Sequence, residues 1–178
     1  MKNLKTMMKY KMSTPTRSEI VLSVDPGFDR VGMAVLKASA KKVELLFSEC
    51  LETNPKDKRA ERLLVIGERI KSVIKKWKPK TLAIETLFFN TNTTSAIGVA
   101  EARGIIIYEG ARTGMEVFEY GPQTVKVAVT GYGKADKIQM EAMVKRLVKL
   151  PKRSAKRLDD EMDAIALGIT HLATKKGI

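Results

Sequence analysis

The chain reads as an α/β protein, a mixed five-stranded sheet flanked by helices on both faces. Two observations carry this. Three apolar runs follow one another between residues 20 and 50, with only short turn-like breaks between them. After residue 58, segments of helical periodicity alternate with two more short apolar runs. Strands in succession, followed by strands alternating with helices, require a mixed sheet covered on both faces.

The first three strands fall at 20–24, 31–37 and 43–50. In the second, Val31, Met33 and Val35 alternate with smaller residues, the pattern of a strand half-buried in a sheet. TNPKD breaks the pattern, and Leu63, Ile66, Ile70, Val73, Ile74 and Trp77 then recur at helical spacing. They predict a helix over 58–77, ended by Pro79, with Trp77 in the core. TLAIE (81–85) is a fourth strand, a helix follows over 94–112, and EVFEY (116–120) is the fifth strand. Two helices come next, over 122–130 and 135–149, the second with Met140, Met143, Leu147 and Leu150 as an apolar packing stripe. A basic linker, PKRSAKR, leads to a last helix over 158–174 that buries Ile165, Leu167, Ile169 and Leu172. GYGKAD (131–136) is no dinucleotide loop, because Asp136 replaces the third glycine and a helix rather than a strand precedes it. It reads as a turn whose backbone amides open a helix and can meet a phosphate.

With 178 residues, 44% of them hydrophobic, the chain can build one domain with a sizeable core. The single cysteine, Cys50, excludes a disulfide framework or a cysteine metal site within one chain and fits a reducing compartment. No run approaches the roughly 18 apolar residues of a membrane span, so a soluble, cytoplasmic protein is expected. The net charge of +13 is confined to two segments: residues 1–18 carry five basic and no acidic side chains, and 121–157 carry ten basic ones against Asp136 and Glu141. A positive field restricted to part of a fold favours a polyanionic partner, nucleic acid, over a merely solvated lysine face. Residues 1–18 lack the apolar region of a secretory signal and read as a disordered basic extension, leaving 19–178 as a single domain.

Acids complete the picture. Asp25 and Glu85 each end an apolar strand, where α/β sheets place their ligands. The last helix opens with LDDEMDA, in which Asp160 and Asp163 lie about 60° apart on one helix face. If that helix packs on the sheet, four carboxylates converge. Such a set repels itself unless cations are present, and oxygen-only ligands select hard ions such as Mg²⁺ or Mn²⁺. A basic surface beside a two-metal acidic centre describes a nuclease. Taken singly, Asp25 also fits a turn, and Asp159, Asp160 and Glu161 also fit a helix start favoured by the macrodipole. His171 lies about 12 Å along the helix from Asp163 and is expected to be structural.

The segments VDPGFDRVGMAVL, LAIETLFFNTNTTSA, EARGIIIYEGA, VFEYGPQTVKVAVTGYGKADKIQMEAMVKRLVKLP and DDEMDAIALGITH, in this order over about 20–173, together resemble the RuvC family of Holliday-junction resolvases. The resemblance implies a ribonuclease H-like fold, a homodimer, and Mg²⁺-dependent paired nicking of a four-way DNA junction, with two ions per site and Mn²⁺ as a substitute. It implies a role in recombination and repair, with a branch-migration helicase as a further partner. The four catalytic and metal-binding acids fall on Asp25, Glu85, Asp160 and Asp163. DNA contacts fall on Lys126 and Lys137, with Lys134, Arg153 and Arg157 in the same basic segment, and on the aromatic Phe88, with Phe89 as its neighbour and rival. The basic N-terminal extension lies outside the family pattern. A linker longer and more basic than usual leaves Asp159 open as an alternative to Asp160. Two other readings stand beside this one: an RNA-processing nuclease of the YqgF type, which shares the Asp-x-Gly-x-x-Arg-x-Gly opening, and a non-catalytic junction-binding protein.

Overall fold

The computed structural model describes residues 19–39, 42–86, 93–152 and 157–175. Five strands, β1 (Glu19–Asp25), β2 (Arg30–Ala38), β3 (Val43–Glu52), β4 (Thr81–Glu85) and β5 (Glu116–Tyr120), form one sheet in the order β3-β2-β1-β4-β5. β1, β2 and β3 pair antiparallel, whereas β1, β4 and β5 pair parallel. The mixed sheet expected from the element order is therefore present. Helices α1 (Arg59–Trp77) and α2 (Thr93–Arg112) cover one face; α3 (Pro122–Thr130), α4 (Lys137–Leu147) and α5 (Asp159–Lys175) cover the other.

The strand alternation divides the core. Leu22, Val24, Met33, Val35, Leu82 and Ile84 point to α1 and α2, where Ile66, Ile70 and Ile106 meet them. Val21, Ala34, Leu36 and Ala83 point to the other side and are covered by Ile165, Leu167 and Leu172 of α5. α5 lies very close to the sheet, and Gly168 makes that possible: a Cβ there would sit 2.4 Å from Leu36 and 2.7 Å from the Ser23 hydroxyl. Ser23, fully buried, donates to the carbonyl oxygen of Ala164 at 2.7 Å, a bond that ties the helix to β1.

The helix ends follow local chemistry. At α1 the Glu61 carboxylate accepts from the Lys58 backbone N–H, and Lys78 closes the helix in the left-handed region before Pro79. α4 starts at Lys137 because Asp136 caps it: the Asp136 carboxylate accepts from the Gln139 N–H at 2.8 Å, and the Gln139 side chain accepts from the Asp136 N–H at 3.0 Å. Two packing expectations need correction. Leu147 is exposed, and the buried residues of that segment are Val144 and Val148, because the helix turns its 140/144/148 side inward. Trp77 sits at the rim of the core, half-buried against Phe47 with ring centroids 6.3 Å apart. Among the described residues no helix is long and apolar enough to cross a membrane.

Candidate active site

Register places the acids. Asp25 pairs with Gly32 of β2, and Gly32 with Cys50 of β3. In the parallel direction Val24 lies opposite Ile84, and Glu85 opposite Tyr120 of β5. Side chains directly opposite one another share a face, so Cys50, Gly32, Asp25, Glu85 and Tyr120 form one row across the sheet on the side covered by α5. Gly32 leaves a gap in this row, and the start of α5 fills it: a Cβ on Gly32 would lie 1.8 Å from the backbone oxygen of Asp160.

The four acids do not form a symmetric set. Asp163 lines a cleft of about 220 Å³ between α5, α3 and α4, together with Glu85, Lys126, Lys137 and Asp159. Asp160 points the other way, toward β2 and β3, where its Oδ2 lies 3.4 Å from Arg30 Nε and accepts from the Cys50 thiol at 3.9 Å. Asp159 pairs with Lys137, Nζ to Oδ2 3.1 Å, on the outer wall. Of the two rivals for the helix-start position, Asp160 is the one whose charge reaches Asp25, whereas both reach Asp163.

The electrostatics are those of a crowded anionic site. Burial, then the charges of Glu85, Asp163 and Asp160, push the Asp25 carboxyl up to about 8, with Lys137 opposing. Burial and Asp163 push Glu85 up to about 7. Asp163 keeps a face open to solvent, yet desolvation in the cleft, with Asp159 and Asp160, raises it against the pull of Lys137 and Lys126. Burial and Asp160 push the Cys50 thiol up to about 11, which makes it a poor nucleophile. Among the described residues no three acidic, histidine or cysteine side chains stand in a chelating arrangement as they are. The donor set nevertheless fits a hard divalent ion: the candidate ligands are carboxylate oxygens, and their mutual repulsion is of the kind that a cation relieves.

The other expected residues fare differently. Lys126 lines the cleft half-buried and Lys137 lines it exposed, whereas Lys134 is exposed in the turn before α4. Phe88, Phe89 and Arg153 lie outside the described residues. Arg157, expected on the DNA surface, turns inward instead: its side chain is 14% exposed, lies 3.2 Å from the buried carboxylate of Glu161, and donates to the Pro151 oxygen at 3.0 Å. The reason is Glu161, 1% exposed where the first turn of α5 meets β3, which also accepts from Ser48 at 2.7 Å. His171 is fully buried, 2.9 Å from the Tyr120 hydroxyl, and its role is structural.

Three arginines that frame the site were not singled out from the sequence. Arg30 is one. Arg103 of α2 donates to the backbone oxygen of Glu85 at 3.2 Å and pairs with Glu119. Arg62 is buried, stacks over the Phe28 ring at 3.9 Å, and bonds Thr53, Asp29 and the Phe28 oxygen, which fixes the turn after Asp25. Arg62 stands beside the apolar positions of α1, and nothing local in the sequence marks it as buried. Arg103 and Arg30 lie inside segments that resemble the family, the only signal for them.

Comparison with known proteins is decisive at this point: the family model of the crossover junction endodeoxyribonuclease RuvC matches residues 21–171. The chain belongs to the RuvC family. It is 38% identical over 152 residues to the crossover junction endodeoxyribonuclease RuvC of Ruminiclostridium cellulolyticum, covering 85% of this chain and 90% of that one. It is 40% identical over 156 residues to that of Endomicrobium trichonymphae, covering 87% and 81%. Its fold is similar to that of T. thermophilus RuvC in complex with Holliday junction substrate, with a TM-score of 0.83 and 31% identity over 89% of this chain and 96% of that one. The mixed sheet with its helices is thus the ribonuclease H-like fold of RuvC, and the family's activity is that of a metal-dependent endodeoxyribonuclease.

Proposed function

We propose that this chain cuts four-way DNA junctions at the acidic row of its sheet, with Asp25, Glu85, Asp160 and Asp163 as the metal ligands. The enzyme is a Holliday-junction resolvase, a crossover junction endodeoxyribonuclease. The observation that carries the site is the placement of Asp25 and Glu85 on adjacent strand tips, on the one face that α5 covers with Asp160 and Asp163.

Divalent ions, two Mg²⁺ in this reading with Mn²⁺ as a substitute, would activate a water and stabilise the leaving 3′ oxygen during in-line attack. The protein supplies the rest. Asp25 and Glu85, held on strands rather than loops, fix the donor geometry. Lys126 and Lys137 border the same cleft and lower the acids' pull on protons, so they stand where a scissile phosphate would need positive charge. Arg103 holds the Glu85 backbone and thereby orients its carboxylate.

Junction symmetry calls for a two-fold dimer. The α1–α2 side supports one: Leu64, Ile97 and Tyr108 are exposed there, and Gly104, between Ile97 and Tyr108 on one stripe of α2, faces open space where a second helix could approach.

The test compares wild type and Asp163→Asn on a mobile four-way junction, a flap and a linear duplex, each with Mg²⁺ and with EDTA. Symmetric nicks on the junction alone, lost in Asp163→Asn and in EDTA, are expected. Binding without nicking would reduce the chain to a junction-binding protein, and cleavage without junction preference would point to an RNA substrate.

A further inference from the structure

The four acids divide into three and one. Glu85 senses the charge of Asp163, and Asp25 senses Glu85 and Asp163 more strongly than Asp160. Asp160 is drawn to the β3 side, its Oδ2 shared between the Arg30 guanidinium at 3.4 Å and the Cys50 thiol at 3.9 Å. Backbone geometry explains why this is available. Arg30 is two residues before Gly32 on the same strand face, and Gly32 lets the backbone of Asp160 rest directly on β2. The Asp160 carboxylate is thus held against Arg30 and Cys50, while its charge still reaches Asp25. Arg30 is half-exposed, so its partner is not locked in place.

We propose that Arg30 is a counter-ion that competes with the divalent metal for Asp160, so that ligation by Asp160 requires this pair to open. The proposal rests on the reading of the acidic row as a metal centre. A cation and a guanidinium cannot both sit against the same carboxylate oxygen without repelling each other. The ion that depends on Asp160 is thus the weaker of the two, and the released guanidinium, at the start of β2 beside the acids, becomes available to a DNA phosphate. Arg30 acts through Asp160 and is a positioning residue.

The experiment measures Mn²⁺ binding to DNA-free protein by calorimetry, for wild type, Arg30→Gln, Asp160→Asn, the double variant and Asp25→Asn. Arg30→Gln tightens Mn²⁺ binding about two- to five-fold, the range of a half-exposed ion pair, and this gain disappears in the Asp160→Asn background. Unchanged or weaker binding in Arg30→Gln overturns the proposal. So does an equal gain in the Asp160→Asn background, which would make Arg30 a distant charge with no hold on Asp160. Asp25→Asn tests the underlying reading separately: if it binds Mn²⁺ as wild type does, the acidic row is not the metal centre, whatever Arg30 does.

Discussion

Asp25→Asn should make the metal-free protein more stable while destroying its activity. Asp25 keeps its proton in the folded state up to about pH 8 but loses it near pH 3.8 when exposed. Between those limits the folded state binds more protons than the unfolded one, so stability falls as pH rises through the window. At about 1.4 kcal/mol per pH unit, carrying Asp25 as an anion above pH 8 costs up to about 6 kcal/mol. Glu85 titrates in an overlapping range and shares part of that cost, and water entering the cleft screens more of it, which leaves about 2–4 kcal/mol. Asparagine keeps the shape and removes the charge. For a chain of this size the gain in EDTA at pH 8 corresponds to roughly 5–15 °C in the thermal midpoint. It should shrink as pH falls toward 4, close to the exposed value, and vanish only below about pH 3, where Asp25 is protonated in both states. If the acidic row is the proposed metal centre, saturating Mg²⁺ should reverse the order, because an ion bound to the folded wild type would stabilise it by mass action. Thermal unfolding at pH 4, 6 and 8, with EDTA and with Mg²⁺, reads all of this. A variant no more stable than wild type at pH 8, or stabilised equally at pH 4, would refute the reasoning.

Gly32→Ala forces a Cβ within 1.8 Å of the Asp160 backbone oxygen, which cannot yield without lifting the start of α5. A loss of about 1–3 kcal/mol or more is expected in urea unfolding, with junction nicking lost even at temperatures where the variant stays folded. Arg157→Ala removes the cation beside the buried carboxylate of Glu161. It should destabilise by about 3 kcal/mol, the scale for breaking a buried pair, yet leave the salt dependence of junction binding unchanged; a flatter salt slope would return Arg157 to the DNA surface.

The fold was legible because local and tertiary signals agree. Apolar runs that end in Asp25 and Glu85 could be read as strands with acids at their tips, and the pairing of Val24 with Ile84 then puts both on one face. The last helix was legible for the same reason, since Ile165, Leu167 and Leu172 are buried as their spacing required. What the sequence does not show depends on rotation or depth. Asp160 and Asp163 share a helix side, but one turn of α5 spans the width of a strand, so they end on opposite sides of Asp25. Arg157 counted as surface charge because nothing local in the sequence reveals that Glu161 beside it is buried and needs a cation. Arg62 was invisible because a guanidinium buried under Phe28 serves a turn distant in sequence.

β1 is the strand at which the sheet changes from antiparallel to parallel pairing, so β1 and β4 end side by side and the chain leaves each tip for a different part of the fold. Sheets of this kind open a crevice beyond such tips. Here the crevice is closed on one side by a helix that approaches the sheet only because Gly32 and Gly168 carry no side chain. Close packing desolvates Asp25, and parallel pairing sets Glu85 beside it, so the features that build the sheet also raise both carboxyls. The row of acids is therefore a stored electrostatic strain of the folded state, and under the proposed function a divalent cation is the partner that would release it.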